Sequence, residues 1–345
     1  MSFINRLRQI NKVRDVETSI SDSNLPARFF IHIPKTAGTS FRNSVVDHFG
    51  QKKILQDYGD NRAATSTAIR KYIYTAGDTI SIKAAMLNQE AVMVSGHVPA
   101  AKYAGVIGLP NTVTFIRKPI IRVVSHFRHM VRDEGFEGDL SSFARIPVNR
   151  NVHSRVLNHL DPALLGIVGI TEQYKSCIDL INARWKWGLA HREDNISDQM
   201  SEVRVNPSSE EISLITDLNT LDIALYDRAI HVFNNSLTCL ERGLEPEPRG
   251  AISVAKNQQG ISGWAFDMFS EKPVEIEVIV NQEVKGKLKS MDFRPALAGW
   301  KVPRSGYIGF HLSSVSLKEG DEVEIRDSKY QLTLDSTVVG EPPVN

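Results

Sequence analysis

Phe29, Phe30, Ile31 and Ile33 form a short apolar run that breaks directly into the polar loop Pro34 to Ser40. A run of this length suits a strand covered on both faces within a parallel sheet. After the loop, Phe41, Val45 and Phe49 recur every four residues, the spacing of a helix that packs one face back onto that strand. A strand, a tight loop and an amphipathic helix in this order restrict the chain to the α/β class, because a parallel strand needs its neighbours brought back by crossover helices.

The same order recurs three more times. Ala91 to Val94 predicts a strand ending in Ser95, Gly96 and His97, and Thr112 to Ile116 another ending in Arg117, Lys118 and Pro119. Pro119 fits the first turn of a helix with Val123, Val124, Phe127 and Val131 on one side. Leu164 to Ile170 predicts a fourth strand, with Thr171 placed to cap the helix that follows, and helical periodicity fills 209 to 233. The expected α/β domain covers 25 to 243, preceded by a basic arm over 1 to 24. Leu244-Glu-Pro-Glu-Pro-Arg-Gly250 reads as a stiff polar linker. Beyond it, Val274, Ile276, Val278 and Val280 alternate with polar residues and Asn281-Gln282 turns the chain back. Later Val323 and Ile325, then Leu332 and Leu334, alternate likewise, so 250 to 340 reads as a small antiparallel β-sandwich.

Composition narrows the function. With 41 Lys and Arg against 40 Asp and Glu the net charge is +1, which predicts no general attraction to nucleic acid. Residues 1 to 135 nevertheless hold 19 basic and 10 acidic side chains, so positive charge gathers where the loop lies. Two cysteines, Cys177 and Cys239, fit no disulfide framework or metal spacing, and no apolar run reaches transmembrane length. These features lead to the expectation of a cytoplasmic protein with at most peripheral membrane contact; they leave its oligomeric state open.

The loop Pro34-Lys35-Thr36-Ala37-Gly38-Thr39-Ser40 lies where a helix start offers free N–H groups and a favourable dipole to an anion. It is not a Walker A loop, since its lysine precedes the glycine. Gly38 would let backbone approach the anion, Thr36, Thr39 and Ser40 supply hydroxyls, and Lys35 supplies a mobile charge. An ordinary loop with a helix-capping hydroxyl has the same residues. Arg117 at a strand end and Ser125 eight residues later form a second potential phosphate grip, at the edge of the sheet where ligands of α/β proteins gather. A strand-end salt bridge and a half-buried helix serine are the plainer readings of this pair.

The segments I-H-I-P-K-T-A-G-T-S-F (31 to 41) and T-F-I-R-K-P-I-I-R-V-V-S-H-F (114 to 127) resemble the donor-binding motifs of carbohydrate sulfotransferases that use 3′-phosphoadenosine 5′-phosphosulfate (PAPS). The nearest branch is that of heparan sulfate 2-O-sulfotransferase, which G-I-T-E-Q-Y (169 to 174) and L-N-T-L-D-I-A-L-Y-D-R-A (218 to 229) also resemble. The likeness covers roughly 28 to 235. It implies a P-loop-like sheet, with Lys35, Thr36, Ala37, Gly38, Thr39 and Ser40 around the 5′-phosphosulfate and Arg117 and Ser125 on the 3′-phosphate. Ser95-Gly96-His97 resembles the branch's H-G-H segment, which implies His97 as general base towards a carbohydrate or glycolipid hydroxyl. Lys35 would steady the leaving phosphate, so no divalent metal is expected. Taken alone, a strand-end histidine is more often a structural hydrogen-bonder.

Two departures matter: Ser95 stands for a histidine, and Lys118 for a residue that is commonly acidic. A nucleotide-dependent kinase is the first alternative, but it needs a Mg²⁺-binding Asp at a strand end. A non-catalytic glycan- or nucleotide-binding protein is the second. Asn151 to Arg155 reads equally as a solvated loop or as a lining of the site. Arg122, His126, Arg128, His129 and Arg132 make one helix basic, with no partner residues for a metal. Trp185 and Trp187, and Trp264, Phe266, Trp300 and Tyr307 in the sandwich, are expected mainly in the core.

Overall fold

The computed structural model describes residues 26–192, 206–244, 247–254 and 259–340; the expected basic arm lies outside them. β1 (Arg28–Ile31) continues through the loop into α1 (Gly38–Phe49), which buries Phe41 and Val45 against it. β2 (Ile54–Asp57) follows, then α2 (Ile82–Asn88), β3 (Met93–Gly96), β4 (Thr112–Ile116) and α3 (Pro119–Glu134). The short α4 (Val152–Val156) precedes β5 (Ile167–Ile170), α5 (Tyr174–Trp185), α6 (Ser209–Leu218) and α7 (Thr220–Arg242).

The five strands are parallel in the order β2-β3-β1-β4-β5. β1 lies at the centre, which is why it is apolar after Arg28: Phe29, Phe30 and Ile31 are all inaccessible. The chain leaves β1 towards β2 and leaves β4 towards β5. The carboxyl ends of β1 and β4 therefore flank a topological switch point, where a crevice forms. Pro119 occupies the first turn of α3, and Val123, Val124 and Phe127 are buried, as the pattern requires.

Three local expectations change. β2 has only Ile54 and Leu55 as an apolar signal and does not stand out in the sequence. Thr171 does not cap a helix: it opens a 3₁₀ turn (Thr171–Gln173), and α5 begins at Tyr174. The segment from Glu247 is no solvated linker. Glu247 is buried, and β6 (Pro248–Val254) begins immediately, its proline tolerated as the first residue of an edge strand.

The C-terminal region consists of two four-stranded antiparallel sheets. One runs β10 (Asp292–Phe293), β11 (Tyr307–Ser316), β7 (Gln259–Asp267), β6; the other β13 (Thr333–Val338), β12 (Glu322–Asp327), β8 (Glu275–Val280), β9 (Glu283–Lys289). Ile261, Ala265 and Phe310 of the first meet Ile276, Val278, Val323, Ile325 and Leu334 of the second in one core. Asn281 and Gln282 form the β8–β9 turn in left-handed conformations (φ 49° and 68°), as the alternation predicts. Trp185, Trp187 and Phe266 are buried, and Trp264 and Trp300 are half-buried against the main core. Tyr307 is instead half exposed, beside the exposed Phe293.

The two regions share a core, because Phe266, Met268, Val302 and Ile308 pack with the residues of the parallel sheet. Arg249 crosses the junction, donating to the carbonyls of Leu165 and Gly166 and pairing with Glu247, which Arg184 also holds at 2.7 Å. Burial alone would raise the Glu247 carboxyl; the charges of Arg249 and Arg184 outweigh it and keep the group below the usual carboxylate range. Removing one partner of such a cluster strands the other charge in the interior. Arg249→Ala is expected to cost roughly 3–5 kcal/mol in urea unfolding, and a chain ending at Gly243 is expected to lose its cooperative transition.

Candidate functional site

A cleft of about 960 Å³ opens at the carboxyl ends of the parallel strands. Its floor is the loop after β1. Lys35 (φ 69°) and Ala37 (φ 65°, ψ 13°) both adopt left-handed backbone, which folds the loop tightly into the start of α1. The Phe41 N–H donates to Ala37 O, so the N–H groups of Gly38, Thr39 and Ser40 precede the helical ladder, as first-turn donors do. Two neighbouring strand ends tie down the carbonyls of the same loop. Arg117 Nη1 donates to Lys35 O at 3.2 Å, and Thr171 Oγ1 donates to Thr36 O at 3.1 Å. With these carbonyls bonded to β4 and β5, the loop is held across the switch point in a conformation that suits an anion.

Lys35, Ala37, Gly38, Thr39, His97, Arg117 and Ser125 all line this cleft. Thr36 and Ser40 do not. The Thr36 hydroxyl donates inward to Ile33 O at 2.9 Å and is not available to a ligand. Ser40 Oγ is buried with no hydrogen-bond partner among the described residues. Arg117 divides its guanidinium between loop and cleft, which makes it a brace as well as a cation. Gly38 also has a different reason to be glycine. A Cβ there would lie 2.1 Å from His32 Cδ2 and 2.9 Å from Phe30 Cζ, so the space above it belongs to the His32 ring.

His97 stands at the end of β3 and opens to the cleft. Its ring meets His32 edge-on at 4.4 Å between centroids and Tyr58 at 4.9 Å. Its side chain is exposed on the cleft side, and the protein behind it shields the rest of the ring from water. That burial, with the Arg42 charge added, pushes its pKa down to about 4. His97 is thus a neutral proton acceptor across the physiological range. Gly96 precedes it because Asp57 O on β2 leaves no room for a side chain: a Cβ at 96 would lie 1.9 Å away.

Several cleft residues carry little signal in the sequence. His32 alternates with Phe30 on the face of β1 that meets α1. Tyr58 follows the unrecognised β2, and Arg42 reaches it from α1, Nη1 donating to Tyr58 Oη at 3.0 Å. His126 also lines the cleft. Burial, then Arg122, His129, Lys35 and His97, lower it to about 4, so it is a neutral group and not part of a basic face. Arg122 turns fully inward to Asn149 O, and Asp133 bonds both His129 and Arg132, so the expected basic helix is largely internalised or neutralised.

Asn151 to Arg155 is neither a solvated loop nor a wall of the cleft. Asp222 accepts from the backbone N–H of His153 and Ser154 at 3.0 and 2.9 Å and pairs with the buried His153, while Asn219 Oδ1 accepts from Asn151 N–H. The Asn and Asp of the 218–229 motif therefore dock α4 onto α7. A strand-end aspartate does exist. Asp57 closes β2, but it is buried, hydrogen-bonded by Tyr74 and Tyr103 and paired with Lys102 at 2.7 Å, outside the cleft lining.

No known family model matches this chain, and no curated protein sequence does either.

Gly38→Ala must displace the His32 ring, and is expected to cost about 1–3 kcal/mol in a thermal or urea melt. His32, His97 and His126 all have lowered pKa values in the folded chain, so the unfolded chain takes up more protons as pH falls below the ordinary histidine value of 6.5. Their contribution is complete above 6.5 and declines towards 4. The urea midpoint should accordingly fall between pH 7 and 5, before the paired carboxylates titrate.

Proposed function

We propose that this chain is a sulfotransferase that moves the sulfuryl group of 3′-phosphoadenosine 5′-phosphosulfate to a hydroxyl of a carbohydrate or glycolipid. The observation that carries the reading is the convergence, in one cleft, of the anion loop with Lys35, the strand-end cation Arg117 with Ser125, and a neutral imidazole, His97. A donor with phosphate at two positions calls for two separated anion grips, and the loop and the Arg117–Ser125 pair supply them. In the transfer, a bond forms from the acceptor oxygen to sulfur as the bond from sulfur to the bridging phosphate oxygen breaks.

His97 takes the proton released from the acceptor hydroxyl. With its pKa near 4 it is fully unprotonated at neutral pH but a weak base, which suits late proton transfer, when the oxygen–sulfur bond is well formed. Lys35 and the first N–H groups of α1 face the phosphate on which negative charge grows. The Asp57 carboxylate, which a Mg²⁺-dependent kinase would direct at its nucleotide, is engaged by Lys102 and two tyrosines. That engagement favours sulfuryl over phosphoryl transfer.

Adenosine 3′,5′-bisphosphate is expected to raise the melting temperature more than ATP with Mg²⁺ at equal concentration. At a hundredfold excess over its Kd, a bound ligand adds about 2.7 kcal/mol. A preference for ATP would remove this reading. His97→Ala is expected to retain the bisphosphate shift and lose at least a hundredfold in sulfuryl transfer, the ordinary weight of a general base. The acid limb of kcat/KM should fall near pH 4 to 5, well below the free imidazole value.

A further inference from the structure

Two imidazoles stand side by side in the cleft, and the proposed reaction uses only one. His32 is 5% exposed, lies stacked on Phe30 at 5.1 Å, and meets His97 edge-on. Its contacts bear on its tautomer as well as its position. Arg42 Nη1 lies 3.0 Å from Tyr58 Oη, and a guanidinium can only donate, so the tyrosine oxygen accepts there. The same hydroxyl lies 3.4 Å from His32 Nδ1, and in the tautomer that uses the hydroxyl proton for this contact the phenol donates to the ring. His32 Nδ1 is then an acceptor, and a neutral ring that accepts at Nδ1 carries its proton on Nε2.

Nε2 is placed at the anion loop. It lies 2.3 Å from where a Cβ of residue 38 would be, directly over the first residue of α1, and makes no hydrogen bond among the described residues. His32 also lines the cleft. Charging the ring is opposed by burial foremost, then by His97 just past β3 and by Arg42 on α1.

Resting on the sulfuryl-transfer reading, we propose that His32 is a neutral hydrogen-bond donor to the anionic group held by the loop, its Nε2–H set towards the cleft by the Arg42–Tyr58 pair. The two imidazoles then divide the work: His97 accepts a proton from the acceptor, and His32 donates to the oxyanion without adding a charge. A fixed neutral donor is useful at this point because its bond strengthens as charge builds on the oxygen, with no second cation to desolvate beside Arg42.

The test is ¹⁵N NMR of the full chain with labelled histidine. In the ligand-free protein His32 should show a protonated Nε2 and a bare Nδ1, and should stay neutral from pH 8 to 5. Adenosine 3′,5′-bisphosphate, and inorganic sulfate in a separate titration, should each shift its Nε2–H resonance. Tyr58→Phe should leave a mixture of tautomers and lower sulfuryl transfer about tenfold, and His32→Gln, which keeps an N–H near the same place, should retain more activity than His32→Ala. A proton on Nδ1, a charged ring at pH 6, or an Nε2–H signal indifferent to both anions overturns the proposal. If sulfate moves the signal and the bisphosphate does not bind, the nucleotide reading fails and the donor role survives. If the bisphosphate binds and 3′-phosphoadenosine 5′-phosphosulfate supports transfer while the His32 signal stays still, only the donor role fails.

Discussion

The His32 ring fills the space that any side chain at position 38 would need, and this contact sets the distance between the central strand and the helix that follows it. Because Gly38 lets the ring lie on the first turn of α1, the helix start stays close to the end of β1, and the loop between them has to turn sharply. The left-handed backbone at Lys35 and Ala37 is the consequence. Backbone of that kind is strained for residues with a side chain and persists only where its surroundings over-determine it. Arg117 and Thr171 do so, bonding the loop carbonyls from the two strands beyond the switch point.

A second constraint is the management of charge around the cleft. Lys35, Arg42, Arg117 and Arg192 line it, and Glu172 is the acidic residue among its walls. Glu172 is occupied in accepting from the Lys118 N–H and from Tyr226 Oη. Three imidazoles, His32, His97 and His126, are held neutral by burial foremost and then by neighbouring positive groups, Arg42 beside the first two and Arg122 beside the third. The result is a site whose cations can meet an anion and whose histidines can exchange or donate protons without adding to the repulsion. The C-terminal sheets contribute from a distance. Their core is continuous with that of the parallel sheet, and Arg249 ties the chain before β5 to the junction.

Local pattern made much of this readable. The β1–loop–α1 unit, the Pro119 start of α3 and the Asn281-Gln282 turn depend on neighbours in sequence, and periodicity reports such neighbours directly. β2 escaped because two apolar residues between lysines and a glycine carry no period. With it went Asp57 and Tyr58, whose roles come from partners 16 to 46 residues away. Asn151 to Arg155 looked like a loop for the same reason: its order comes from Asp222, which no local rule connects to it.

By itself the sequence determined that a polar, glycine-bearing loop would stand at the end of a buried parallel strand, since strand, glycine and helix start are all encoded within about twenty residues. It also determined which residues carry charge and which can carry a proton. Tertiary structure alone decided how those residues are used: that the Thr36 hydroxyl faces inward, that Arg117 braces the loop it was expected only to accompany, that His32, His97 and His126 are neutral, and that Tyr58 connects Arg42 to His32. The physical reason is that protonation, donor direction and burial depend on what surrounds a group in space. In a parallel sheet that surrounding is assembled from loops tens of residues apart.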